Sequence, residues 1–239
     1  MGVSQAIRNP GSYLSRTFGL YRALLTDPER FYEEYIGSQR MLSEVVLVLV
    51  IGVVGLAGNY FALNELTTQI GFLDFALNDN ARFQLQQRLI EPVVGAVLLW
   101  VWFAIGSFAV GWLYSAVGTT YLALKRTAWA LFPMLIANVV NTAAVFWTAT
   151  NLDLAVEDLD VQTSLPGPVA EEIWSQVGSD PVVVGSVAVS IVFVAWTGYI
   201  TAYAIRDVRD LTTAEAYRVA AVPTVGYALY VAYQVVGAL

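Results

Sequence analysis

Few residues in this chain could do chemistry, and their spacing limits what that chemistry would be. Glu91 is the one ionisable side chain inside or at the far edge of an apolar segment, directly before Pro92. A carboxylate there could hold an ion. At the head of a segment it also reaches lipid headgroups, whereas a charge at the bilayer centre costs about 2.5–3.5 kcal/mol on insertion scales. The expected role is therefore an interfacial cap. Glu44, at the inner end of an earlier apolar segment, requires no special role. Asn138 and Asn141 stand at i and i+3 on one helical face. Their amides could meet a polar solute, but their first expected role is as glue between helices, contributing about 0.6 and at most about 2 kcal/mol each. The chain has no cysteine and no histidine, which excludes disulfides, thiolate sites and imidazole chemistry. It lacks an HExxH pair, a GxSxG elbow and a phosphate-cradling GxxxxGK[ST] loop. No second buried carboxylate or basic residue is expected to pair with Glu91 in a proton relay. The residues predict a non-enzymatic protein with no catalytic, cofactor or metal site.

The elements that carry these residues belong in a membrane. Apolar residues make up 57% of the 239, charged residues only 13%, and mean hydropathy is +0.61; soluble domains carry about 25% charged residues. A helix crossing about 30 Å of hydrocarbon needs about 20 apolar residues. Five segments qualify: 42–63, 90–117, 127–150, 181–205 and 216–236. The expected fold is all-α and polytopic, with residues 1–40 forming an amphipathic tail and 41–239 a five-span membrane domain. Arg8, Arg16, Arg22, Arg30 and Arg40 precede the first segment, Lys125 and Arg126 lie between the second and third, and Arg206, Arg209 and Arg218 flank the last turn. The other connections hold only Arg82 and Arg88. By the positive-inside rule this places the N-terminus in the cytoplasm and, after five crossings of the cell membrane, the C-terminus outside. Net charge is −7, with eleven arginines to one lysine, and no basic run suggests nucleic-acid binding. The acidic balance is also of the kind that keeps a hydrated surface in high salt.

Short basic connections at 118–126 and 206–215 predict two tight hairpins, spans two with three and four with five. The longer connection 64–89 could hold a short interfacial helix. The segment 151–180 carries seven carboxylates and Pro166-Gly167-Pro168, and reads as a solvated loop that matches no calcium-binding pattern. Pro133 and Pro223 fall in the first third of each hairpin's return helix, which suggests a weak internal repeat and predicts kinks. Gly52, Gly55 and Gly58, with Gly106 and Gly111, permit close helix approach. Trp100, Trp112, Trp129, Trp147 and Trp196 read as an aromatic belt. In the tail, Leu14, Phe18, Tyr21 and Leu25 share one helical face, with Arg16 and Arg22 placed to meet anionic headgroups. Asp27 can cap a second helix with Pro28 at its first position, offering Phe31, Tyr32 and Tyr35 as an aromatic face. Docking on the membrane surface is the expected use of these faces, and recognition of a soluble partner the secondary one.

The segment TDPERFYEEY before the first span, the entry RTAWALFP into the third, and five spans behind a cytoplasmic tail resemble the Yip (Ypt-interacting protein-like) family of integral membrane proteins, over about residues 20–239. The form is that of a prokaryotic or archaeal member. In eukaryotes the family binds prenylated Rab-type GTPases and shapes or sorts vesicle membranes. The resemblance implies a membrane scaffold or adaptor whose partners are the bilayer, a membrane or cytoplasmic protein, or further copies of itself. The Asp-Leu-Tyr-Gly-Pro motif of the eukaryotic tail is not found, so GTPase binding is not carried over. A small-solute channel or transporter subunit is the alternative, motivated by the kinked hairpins and the asparagine pair.

Overall fold

The computed structural model describes residues 19–35, 41–69, 79–114, 117–151 and 175–238. Residues 19–26 are helical and lead into α1 (Pro28–Tyr35). Then come α2 (Leu42–Gln69), α3 (Asp79–Gly111), α4 (Thr120–Ala130), α5 (Phe132–Asn151), α6 (Pro181–Arg209) and α7 (Thr213–Ala238). The described residues contain no strand. Among the described residues, five helices are long and apolar enough to cross a membrane, at Leu42–Ala62, Ile90–Tyr114, Phe132–Asn151, Pro181–Arg209 and Thr213–Gly237.

Local chemistry sets the helix ends. Asp27 accepts from the Arg30 amide at 3.4 Å, with Pro28 at the first helical position as expected. Asp180 caps α6 by accepting from the Val182 amide at 2.8 Å, and it also accepts from the Thr148 hydroxyl at 3.0 Å, which ties α6 to the end of α5. Thr212 and Glu215 form a reciprocal capping box at the start of α7. Asp210, at φ 52°, turns the chain between α6 and α7.

Three expectations about connections change. The segment 118–126 is not a turn, because a helix already runs from Thr120, capped by Thr119. The turn is residues 117–119, with Gly118 at φ 127°; a Cβ there would strike the Val208 carbonyl, so this turn lies against the end of α6. Span three breaks at Leu131 because Pro133 cannot donate to the Trp129 carbonyl, leaving α4 and α5 as separate helices. At Pro223 α7 continues as one helix, so the two prolines are not equivalent. In the 64–89 connection, α2 extends to Gln69 and α3 starts at Asp79. No glycine or proline falls between Asp79 and Pro92, and Ala, Leu, Gln and Arg there favour helix. At 28 and 33 residues, α2 and α3 are about 42 and 50 Å long, well beyond the hydrocarbon thickness.

The spans close into a ring in the order α3, α2, α5, α6, α7 and back to α3. The second expected hairpin, α6 with α7, is tightly packed: Gly198 lies so close to Thr224 that no side chain could stand between them. The first is splayed. α3 meets α4 at the end carrying Arg126, Arg206 and Arg209, the basic end, where Trp100 Nε1 donates to the Leu124 carbonyl at 2.7 Å. Beyond that end α2 packs between α3 and α5. Its glycines make this possible: a Cβ on Gly52 would lie 2.6 Å from the Val93 Cα, one on Gly55 2.8 Å from the Pro92 ring, and one on Gly58 2.7 Å from the Thr142 hydroxyl.

Candidate functional site

Two regions gather the side chains of interest. The first is a platform at the basic end. Leu24, Phe31 and Tyr32 are buried with Ala130, Ile200 and Ala204, and Trp129, Phe132 and Trp196 pack around them. Tyr21 stacks on Phe132 with ring centres 5.0 Å apart, and Phe31 lies 5.8 Å from Trp129. The Tyr32 hydroxyl donates to the Arg126 carbonyl at 3.0 Å. Burial pushes the Tyr32 phenol above its ordinary value, with the Arg126 charge partly opposing, so it stays a neutral donor. Arg206 reaches Glu29 at 2.8 Å and Glu33 at 3.6 Å, and Arg126 pairs with Asp207 at 3.0 Å.

This changes the expected use of the tail. Its aromatic face covers the chain's own α4, α5 and α6 instead of being displayed to lipid or to a partner. Pro28 is buried at the start of α1. The inward face of residues 19–26 centres on Leu24, a residue away from the Tyr21 and Leu25 stripe read from the periodicity. Leu14, Arg16 and Phe18, and the Tyr35 side chain, lie outside the described residues. Two further residues were missed. Glu44 is fully buried, accepting from the Ser43 hydroxyl at 2.8 Å and from Trp129 Nε1 at 3.2 Å. Arg209 is 1% exposed, its guanidinium 4.2 Å from the centre of the Phe108 ring in space opened by Gly111. By sequence Glu44 is a charge at a span end and Arg209 one of three arginines flanking the last turn. Trp100 and Trp129 are likewise internal fixtures, while Trp112 and Trp147 are exposed as a belt requires.

The second region is a cavity of about 680 Å³ inside the far half of the ring. Ile51, Gly55 and Asn59 of α2 line one wall. Glu91, Pro92 and residues down to Trp102 on α3 form the next, followed by Asn138, Asn141 and Thr142 of α5, and Tyr227 and Tyr230 of α7. The structure thus brings Glu91 to the same cavity as the Asn138 and Asn141 pair, a grouping the sequence did not offer. Glu91 lies thirteen residues into α3, so it caps no helix; it is exposed at the cavity wall. Pro133 and Pro223 are not among the cavity's lining residues, although the Pro223 carbonyl accepts from Trp102 Nε1 at 2.9 Å.

The asparagines do serve as glue. Asn138 Nδ2 donates to the Ile51 carbonyl at 2.8 Å, and the Thr142 hydroxyl to the Val54 carbonyl at 3.0 Å. In an α-helix those two carbonyls also accept from the amides of Gly55 and Gly58. The absent side chains at these glycines leave each carbonyl open to a second donor. Asn141 exchanges hydrogen bonds with Ser190 of α6 at 3.2 and 3.4 Å. Each amide has two donors and two acceptor lone pairs, so these bonds do not exhaust either side chain, and both residues line the cavity.

Toward the basic end the cavity is closed. Val48, Ile51, Phe103, Leu131 and Val194 are at most 1% exposed and form one packed cluster with Leu99 and Trp100. Among the described residues no group of histidine, cysteine or carboxylate side chains could hold a metal. No curated protein and no solved structure matches the chain significantly. The model of the Yip1 domain matches residues 22–233, from the docked tail through most of α7; with nearly its whole length covered, this chain belongs to the Yip1 family of integral membrane proteins.

Proposed function

We propose that this protein is a non-enzymatic membrane scaffold or adaptor of the cell membrane, with the basic end and N-terminal helices in the cytoplasm and the C-terminus outside. The observation that carries this reading is the platform. α1 is fixed to α4 and α6 by buried aromatics and by Arg206, which pairs with Glu29 and Glu33 at the exposed surface. A preordered face costs less entropy on binding than a free tail would. Two charged groups nearby are engaged structurally: the buried Glu44 holds Trp129, and the partly exposed Arg126 pairs with Asp207.

Crosslinking in native membranes followed by purification tests this. The expected result is a stoichiometric partner or a homo-oligomer through the platform, lost when Glu29 and Glu33 are both changed to Arg. No stoichiometric species, or one indifferent to that change, refutes the reading. The transport alternative draws on the cavity that reaches Asn138 and Asn141. The packed cluster beneath it argues against an open path. Solute flux into liposomes that falls in Asn138→Leu and Asn141→Leu would favour transport over scaffolding.

A further inference from the structure

α5 rises through the bundle from Phe132, and Asn138 and Asn141 lie about 9 and 14 Å along it, so both sit near the middle of the bilayer. The cavity therefore runs from mid-membrane toward the surface far from the basic end. α3 and α7 are held together at or below this level, by Trp102 bonding the Pro223 carbonyl, by Trp102 against Gly226, and by Gly106 against Pro223. Above it, the lining residues Gly95, Leu98 and Tyr230 on these two helices are exposed. In a membrane that exposure is to lipid chains, so the entrance is lateral, between α3 and α7.

The walls define the occupant. Most of the lining is apolar, and the volume falls in the range of about 300–1,000 Å³ typical of ligand pockets. Asn138, Asn141 and Thr142 line the α5 wall together, and among the described residues no lysine or arginine lines the cavity. A phosphate at that depth would be an uncompensated charge, and Glu91 on the α3 wall of the same cavity is itself a carboxylate. A hydroxyl or carbonyl instead fits asparagine amides, which can both donate and accept. We propose that the cavity binds an uncharged lipid of the leaflet far from the basic end, its hydroxyl or carbonyl group on Asn138 and Asn141 and its apolar chain leaving between α3 and α7.

Photolabelling of the full chain in phospholipid nanodiscs tests this, with diazirine-tagged diacylglycerol (hydroxyl and ester) and a diazirine-tagged long-chain ketone (carbonyl only) as probes. A phosphatidylcholine carrying the same tagged chain reports ordinary boundary lipid. At equal mole fraction, a neutral probe should label peptides containing the lining residues about ten-fold more than phosphatidylcholine, the equivalent of one hydrogen bond to a buried group. The two neutral probes separate a hydroxyl requirement from a carbonyl one. Gly95→Trp, which fills the entrance at a position with open space around its Cβ, should reduce that labelling to the phosphatidylcholine level. Gly185→Trp, equally open but away from the cavity, should not. Asn138→Leu should lower neutral-lipid labelling and leave phosphatidylcholine labelling unchanged. Equal labelling by phosphatidylcholine, no preference for either neutral probe, or indifference to Gly95→Trp overturns the proposal. These readouts do not depend on whether a protein partner is found.

Discussion

The docking of α1 can be taken apart because two kinds of force hold it, with unequal strength. Phe31 is 3% exposed among Leu24, Trp129 and Ala130, and truncating such a ring costs about 3–5 kcal/mol. The Arg206 pairs involve Glu29 and Glu33 at 49% and 59% side-chain exposure, and exposed ion pairs are worth about 0.2–1 kcal/mol. The aromatic contacts should therefore dominate. The chain has no cysteine, so Leu24→Cys places a single thiol at a fully buried position that only local undocking exposes. If closure is fast relative to labelling, the rate with a maleimide reports the open population. At 1.4 kcal/mol per decade, Phe31→Ala should speed labelling about 100-fold or more, and Arg206→Ala no more than about five-fold. Added salt should have little effect, since screening acts on the exposed pairs and not on the rings. An Arg206→Ala effect larger than that of Phe31→Ala, or labelling opened by salt alone, would refute this account of the platform.

Other expectations are narrower. Gly58→Val should push α2 off Thr142 and break its bond to Val54, costing about 1–3 kcal/mol in a reversible unfolding assay in micelles, while Gly185→Ala stays near neutral. Gly118→Ala, at φ 127° and against the Val208 carbonyl, should lower the same stability by about 1 kcal/mol or more. Glu44→Leu should cost about 1–3 kcal/mol by orphaning Trp129 Nε1, whereas Glu44→Gln keeps an acceptor there and should recover most of it, measured by the same unfolding. An impermeant maleimide on intact cells should label Ser179→Cys and spare Thr212→Cys, both exposed in the structure; the opposite pattern would invert the orientation.

The one-dimensional facts of this protein were legible in the residues. The number of spans and their approximate limits follow from hydropathy, because crossing hydrocarbon is a property of one segment at a time. Asp27 with Pro28 announced α1, and Pro133 announced a kink where the helix in fact breaks, because caps and prolines act within a few residues. What lay beyond reach was which faces meet. Spans surrounded by lipid are apolar on every side, so periodicity marks no inner face and could not say that α2 packs between α3 and α5. For the same reason Glu44 and Arg209 read as charges at span ends, although both are buried, Glu44 against Trp129 of α4 and Arg209 against Phe108 and Gly111 of α3. The asparagines could be named from sequence. Their carbonyl partners, opened by Gly55 and Gly58 one helix away, and the cavity they share with Glu91 exist only once the ring has closed.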